Sequence, residues 1–261
     1  MVVFLHELRQ NRLVVTIWTL SIAFFLATCV MLFPQMKDSM GDLNASFSSM
    51  GAFTEAFGMD RLNFTTLIGF YGVECSNIIG IGGAFFAAMI GISSLSKEEK
   101  DHTVEFLLTH PISRDRVMAE KLLSLVMELV LMNFVVLLVA IASIRMIGED
   151  IPWKEIFLLH GANAFLQLEL VFLCFGISAF LKKHGFGIGL GIAIILYFLN
   201  LIANITEEAK FLKHLTPFGY ADAADLVTEG KMDVTQICFG ILVSVLVTLA
   251  GWIRYRRKDL P

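Results

Sequence analysis

In this chain of 261 residues, 56% are hydrophobic and 17% charged, against about 45–50% and 25% in an ordinary soluble domain. That excludes a water-soluble globule, because the polar sequence cannot cover so much apolar surface. The net charge of −4 decides little by itself; where the charges stand decides more.

The apolar residues gather in blocks of roughly 20, the length a helix needs to cross about 30 Å of hydrocarbon. Lipid offers the backbone no hydrogen-bond partners, so the blocks must be helical. The expected fold is an all-α integral membrane protein with six spans near 13–33, 67–95, 121–147, 156–181, 185–204 and 235–253, forming one transmembrane domain over 1–261.

Residues 2–12 are short, amphipathic and end in Arg9 and Arg12, as expected of a helix in the headgroup layer. The apolar stretch from Leu13 to Phe33 exceeds a signal core of about 7–15 residues and reads as a retained first span. The second span carries Glu74 and six glycines: Gly69, Gly72, Gly80, Gly82, Gly83 and Gly91.

After it comes a charged loop, 96–120. Ser96 followed by Glu98 and Glu99 favours a helix start. Val104, Leu107 and Leu108 then form an apolar patch, Pro111 stops the helix, and Ser113 can cap the next one. Such a patch lies on lipid or docks on a partner protein, and the residues alone leave both open.

The third span holds Glu128; the fourth holds Asn163, Gln167 and Glu169. Asn163 and Gln167 are four apart and share a helix face, whereas Glu169 points away from it. Carboxylates in hydrocarbon are costly, so each should face the bundle interior, be paired or be protonated. Glu74, Glu128, Asn163, Gln167 and Glu169 are the candidate substrate pathway, with hydrogen bonding between helices as the plainer role. Gly185, Gly187, Gly189 and Gly191 give the fifth span two small-x-x-x-small pairs for close packing. The four cysteines are scattered through apolar segments with no CxxC pair, as small buried residues are.

Six spans put both termini on one side. That side carries thirteen of the lysines and arginines, among them Arg9, Arg12, Lys97, Lys100, Arg114, Arg116, Lys121 and the basic tail after 253; the other carries seven. By the positive-inside rule the termini and the 96–120 loop are expected in the cytoplasm of a cell-membrane protein.

The loop pattern of an acidic pair followed by Thr-x-Glu-x-Leu-Leu-x-x-Pro-x-Ser-Arg and a lysine is carried by Glu98, Glu99, Thr103, Glu105, Leu107, Leu108, Pro111, Ser113, Arg114 and Lys121. It resembles the loop after the second span of ATP-binding-cassette type-2 export permeases, in the branch that includes permeases linked to multi-copper enzyme maturation. His102 and Val104 depart from the family's usual Gly and Leu. The stretch from His214 through Thr216-Pro217-Phe218 to Asp222 and Asp225 is similar to the family's segment between the fifth and sixth spans. Glu7-Leu8-Arg9 fits its amino-terminal elbow helix.

The resemblance implies an elbow helix over 1–12 and a coupling helix near 97–110 resting on a separate cytoplasmic ATPase subunit. Glu98, Glu99, Thr103, Glu105, Leu107, Leu108, Pro111 and Arg114 are its docking residues. It also implies a second permease copy, identical or related. No Gly-x-x-x-x-Gly-Lys-Ser/Thr loop occurs, so ATP and Mg are expected on the partner and no cofactor on this chain. No His-Glu-x-x-His motif occurs either. Glu98-Glu99 resembles the acidic pair of CAAX-type membrane proteases, but His102 stands where their arginine belongs.

The expectation is a non-enzymatic exporter subunit with the bilayer as a further partner and no nucleic acid. A proton-coupled transporter using Glu74, Glu128 and Glu169, or a non-transporting membrane scaffold or immunity protein, are the alternatives.

Overall fold

The computed structural model describes residues 2–47, 51–100, 113–181 and 185–257, and these residues are helical or in short connections, with no strand among them. Six helices are long and apolar enough to cross a membrane: Val2–Lys37, Leu67–Ser96, Arg114–Met146, Trp153–Ser178, Phe186–Ile205 and Val234–Arg256. They are the six expected spans, displaced by a few residues at most ends.

The first helix differs most. It runs unbroken over Val2–Phe47, so no bend separates residues 2–12 from the first span. Nothing before Pro34 interrupts helical hydrogen bonding, and Pro34 itself is exposed within the helix. The second span is also continuous past Ser96, to Lys100. Ser96 donates its hydroxyl back to Ile92 O at 2.9 Å instead of starting a helix. Ser113 does cap the third span, accepting from Arg116 N at 3.3 Å.

The second span begins as a short helix, Leu67–Phe70, capped by Thr66, and passes through a single π-helical turn at Tyr71–Cys75 before resuming at Ser76. The extra residue leaves backbone acceptors imperfectly served, and Asn77 Nδ2 donates to Val73 O at 2.6 Å.

The second and fourth spans form the core of the bundle, packed chiefly on each other, with the sixth against the fourth and the first against the third. Leu26, Val30, Phe33, Phe70, Tyr71, Phe86, Leu166 and Phe175 are among the buried side chains between them. The tightest backbone-to-backbone approach between spans joins the fourth and sixth, where a Cβ on Gly251 would stand 2.3 Å from Gly176 O. In the fifth span only part of the expected small-residue pairing is used. A Cβ on Gly189 would stand 2.9 Å from Ala88 O, whereas Gly187 and Gly191 face open space.

Between the fifth and sixth spans the chain makes a 3-10 helix, Glu207–Leu215, and two short helices, Pro217–Tyr220 and Ala223–Glu229. Pro217, Phe218, Gly219 and Tyr220 are all buried, so this connection dips into the bundle instead of lying across it.

Candidate functional site

At the end that carries the termini, the first two turns of the third span hold four helices together. Lys121 is fully buried; its Nζ donates to Glu7 Oε1 of the first helix at 2.6 Å and to Ser94 O of the second span at 3.1 Å. Glu120 accepts from Phe4 N at 3.1 Å and from Arg116 Nε at 2.8 Å. Arg114 Nη1 donates to Tyr255 O and Arg256 O, carbonyls in the last turn of the sixth span. Asp115 Oδ1 accepts from Trp252 Nε1 at 2.7 Å and pairs with Arg256 at 3.2 Å.

Arg114 thus binds the sixth span of its own chain. Glu98 and Glu99 continue the second helix, while Thr103, Glu105, Leu107, Leu108 and Pro111 lie outside the described residues.

The intramembrane polar residues fall into different roles. Glu128 Oε1 accepts from Asn11 Nδ2 at 2.9 Å, joining the third span to the first. Gln167 accepts from Asn133 at 2.6 Å and donates to Ile79 O at 3.3 Å, joining the fourth span to the third and second. Asn163 also faces the second span, donating to Ser76 Oγ at 3.2 Å and to Leu159 O at 2.8 Å. Glu169 turns the other way, as its spacing implies, and accepts from Tyr220 at 3.0 Å beside Gly240 of the sixth span. Glu74 lies half-buried in the π-turn. Structure therefore brings Asn163 and Gln167 to one face but does not gather the five candidates into one site.

The far end carries a polar cluster that hydropathy did not single out. Asp222 caps the helix Ala223–Glu229 through Ala224 N and Asp225 N. Its Oδ2 accepts from Asn204 at 2.8 Å and from Asn200 at 3.4 Å, both on the fifth span. Arg61 bonds Asp225 and lies 3.4 Å from Asp222, and Lys213 donates to Asp225 at 2.6 Å. Burial opposes the charged form of Asp225, but Lys213 and Arg61 outweigh it and hold its pKa below the usual carboxylate value. Gln236 Nε2 donates to Lys213 O and Thr216 O, fixing the dipping connection to the sixth span.

Beneath this cluster, Asn77, Asn163, Tyr197, Asn200, Asp222 and Phe218 are among the residues lining a small pocket that opens at its mouth. Asn163 is the one sequence-predicted residue on it. Asn77 and Asn200 were visible as polar residues within apolar spans; Tyr197 and Asp222 gave no such signal. Among the described residues, no group of three His, Cys, Asp or Glu side chains is placed to hold a metal ion.

No curated protein matches the chain. The family described as ABC-2 family transporter protein matches residues 1–260. With six helices of spanning length and composition over that same stretch, the chain belongs to the ABC-2 transporter family and is a multi-pass membrane protein of its permease class.

Proposed function

We propose that the chain is the membrane subunit of an ATP-driven exporter, working with a separate cytoplasmic ATPase and with a second permease copy, identical or related. The excess of lysine and arginine at the termini end supports a cytoplasmic position for both termini and for the 96–120 loop. ATP and Mg belong to the partner, since this chain has no phosphate-binding loop.

The observation that carries the reading is the junction at 114–121. The segment that follows the loop is bonded to the first, second and sixth helices through Glu120, Lys121, Arg114 and Asp115. A displacement of the loop by a closing ATPase is therefore delivered to three other helices at once, which is what alternating access requires. Glu128 and Gln167 act as packing groups in this scheme; Asn163, Glu169 and Glu74 remain the pathway candidates.

A charge at Leu107 or Leu108 tests the docking directly. Leu107→Glu or Leu108→Glu should abolish co-purification of the ATPase while leaving membrane insertion intact. Normal assembly of either variant refutes ATPase docking on this loop.

A further inference from the structure

The pocket at the far end has a chemistry that helix packing does not require. Its amide nitrogens are engaged inside the protein: Asn163 Nδ2 with Ser76 Oγ and Leu159 O, Asn77 Nδ2 with Val73 O, and Asn200 Nδ2 with Asp222 Oδ2. Tyr197 donates its hydroxyl to Asn77 Oδ1 at 3.4 Å.

What the pocket has left are acceptors. Asn200 is 6% exposed, and its Oδ1 receives no hydrogen bond among the described residues. A buried acceptor without a donor is costly, so such an atom calls for one. Gly80 keeps space open before a second acceptor: a Cβ there would stand 2.9 Å from Asn163 Oδ1. Asp222 adds a carboxylate to the wall, already met by Arg61 at 3.4 Å and by amide and backbone donors.

The remaining lining selects among donors. Phe57, Tyr197 and Phe218 present aromatic rings, the last two 5.3 Å apart and steeply inclined at 68°. Aromatic faces attract cations and tolerate the carbon attached to them. An anion meets amide oxygens and a carboxylate here, against the single hydroxyl of Ser76. A strongly hydrated metal ion loses its shell against rings that return little. An ammonium group on a short carbon chain satisfies the amide oxygens with its N–H groups and the rings with its charge and its methylenes.

We propose that this pocket, lined by Asn163, Asn200, Asp222, Tyr197 and Phe218, binds an organic ammonium group. A soluble amine or the ethanolamine headgroup of a lipid can supply it. The binding stands on the pocket alone; its role as a station for an exported or regulatory amine rests on the export reading.

The test uses the full chain purified into phosphatidylglycerol nanodiscs, with calorimetric titration of ethylammonium chloride, ethanol and sodium chloride. Saturable binding of ethylammonium is expected, with none of ethanol or sodium. Gly80→Ala, which closes the space at Asn163, and Asn200→Leu should each weaken it about tenfold or more. Gly80→Ala keeps the test decisive if Asn200→Leu does not fold. Sodium binding as tightly as ethylammonium overturns the proposal in favour of an inorganic cation. Absence of saturable binding overturns it in favour of water alone. Equal binding by both variants and the parent overturns it by placing the amine elsewhere.

Nanodiscs containing phosphatidylethanolamine separate the two sources. Weaker binding of added ethylammonium there assigns the pocket to the headgroup, and unchanged binding assigns it to soluble amines; both support the ammonium chemistry. None of these measurements involves the ATPase, so they and the Leu107 and Leu108 variants fail independently.

Discussion

At the end of the bundle that carries the termini, charged side chains are buried and tied to the backbone of neighbouring helices. At the far end, amides, caps and three short helices surround open space. Lys121 reaches Glu7 and Ser94 O with nothing exposed, and Arg114 closes the last carbonyls of the sixth span. Across the bundle, Asp222 is met by Asn200, Asn204 and two backbone N–H groups above a small open pocket. On the export reading proposed above, the first arrangement would pass displacement between helix ends and the second would hold the ligand.

The contrast breaks most sharply at Lys121. Lys121→Met leaves the Glu7 carboxylate buried without its cation, a change that costs about 3–5 kcal/mol. Denaturant unfolding of the purified protein should show that loss. Replacing both partners, Glu7→Leu with Lys121→Met, should restore most of it, because two apolar side chains leave no charge unpaired. A single variant as stable as the parent shows that the junction is not held by this pair.

Next comes the seam between the fourth and sixth spans, which runs from one end to the other. A methyl at Gly251 would stand 2.3 Å from Gly176 O, and backbone cannot turn aside as a side chain can. Gly251→Ala should cost about 1–3 kcal/mol. Gly187→Ala, where nothing lies within 4 Å, should be neutral in the same assay.

These two sites also show what sequence could and could not reveal. The spans were legible because hydrocarbon thickness fixes their length and composition, and the face shared by Asn163 and Gln167 followed from their spacing of four. Ser113 as a cap was legible for the same local reason. The partners of Lys121 were not, since Glu7 is 114 residues away and only tertiary packing joins them. The π-turn at Tyr71–Cys75 leaves no mark on hydropathy. Small residues in the fifth and sixth spans look alike in sequence, yet Gly251 meets backbone and Gly187 meets nothing. At the pocket, Asn163 was found by its polarity within a span and Asp222 by its place in the motif between the fifth and sixth spans, whereas the meeting of the two needed the fold.

At the far end, acid should remove the ion pairs of Asp225. The folded pKa of Asp225 lies below the ordinary carboxylate value of about 3.9, so its contribution to stability is full above that value. It is lost as pH falls through the folded pKa. The contribution is up to about 1 kcal/mol, because the side chain remains 32% exposed. Thermal unfolding from pH 6 to pH 2 should therefore show parent and Asp225→Asn converging at the acid end. Curves that stay parallel throughout exclude Asp225 as the group responsible.

The smallest expected effect lies between the two ends. Thr248 Oγ1 of the sixth span donates to Phe172 O of the fourth at 2.7 Å, close to the Gly176–Gly251 contact. Thr248→Val keeps the shape and removes the donor. In water such a bond is often replaced by solvent; within the bilayer it is replaced by nothing, yet the helix keeps its own hydrogen bond to Phe172 O. The loss should be about 0.6 kcal/mol, the usual size for a bond between membrane helices. If Thr248→Val costs as much as Gly251→Ala, the seam is held by hydrogen bonding and not by the closeness of the two backbones. A double-mutant cycle of the two substitutions distinguishes these, because only a shared backbone shift makes their effects fail to add.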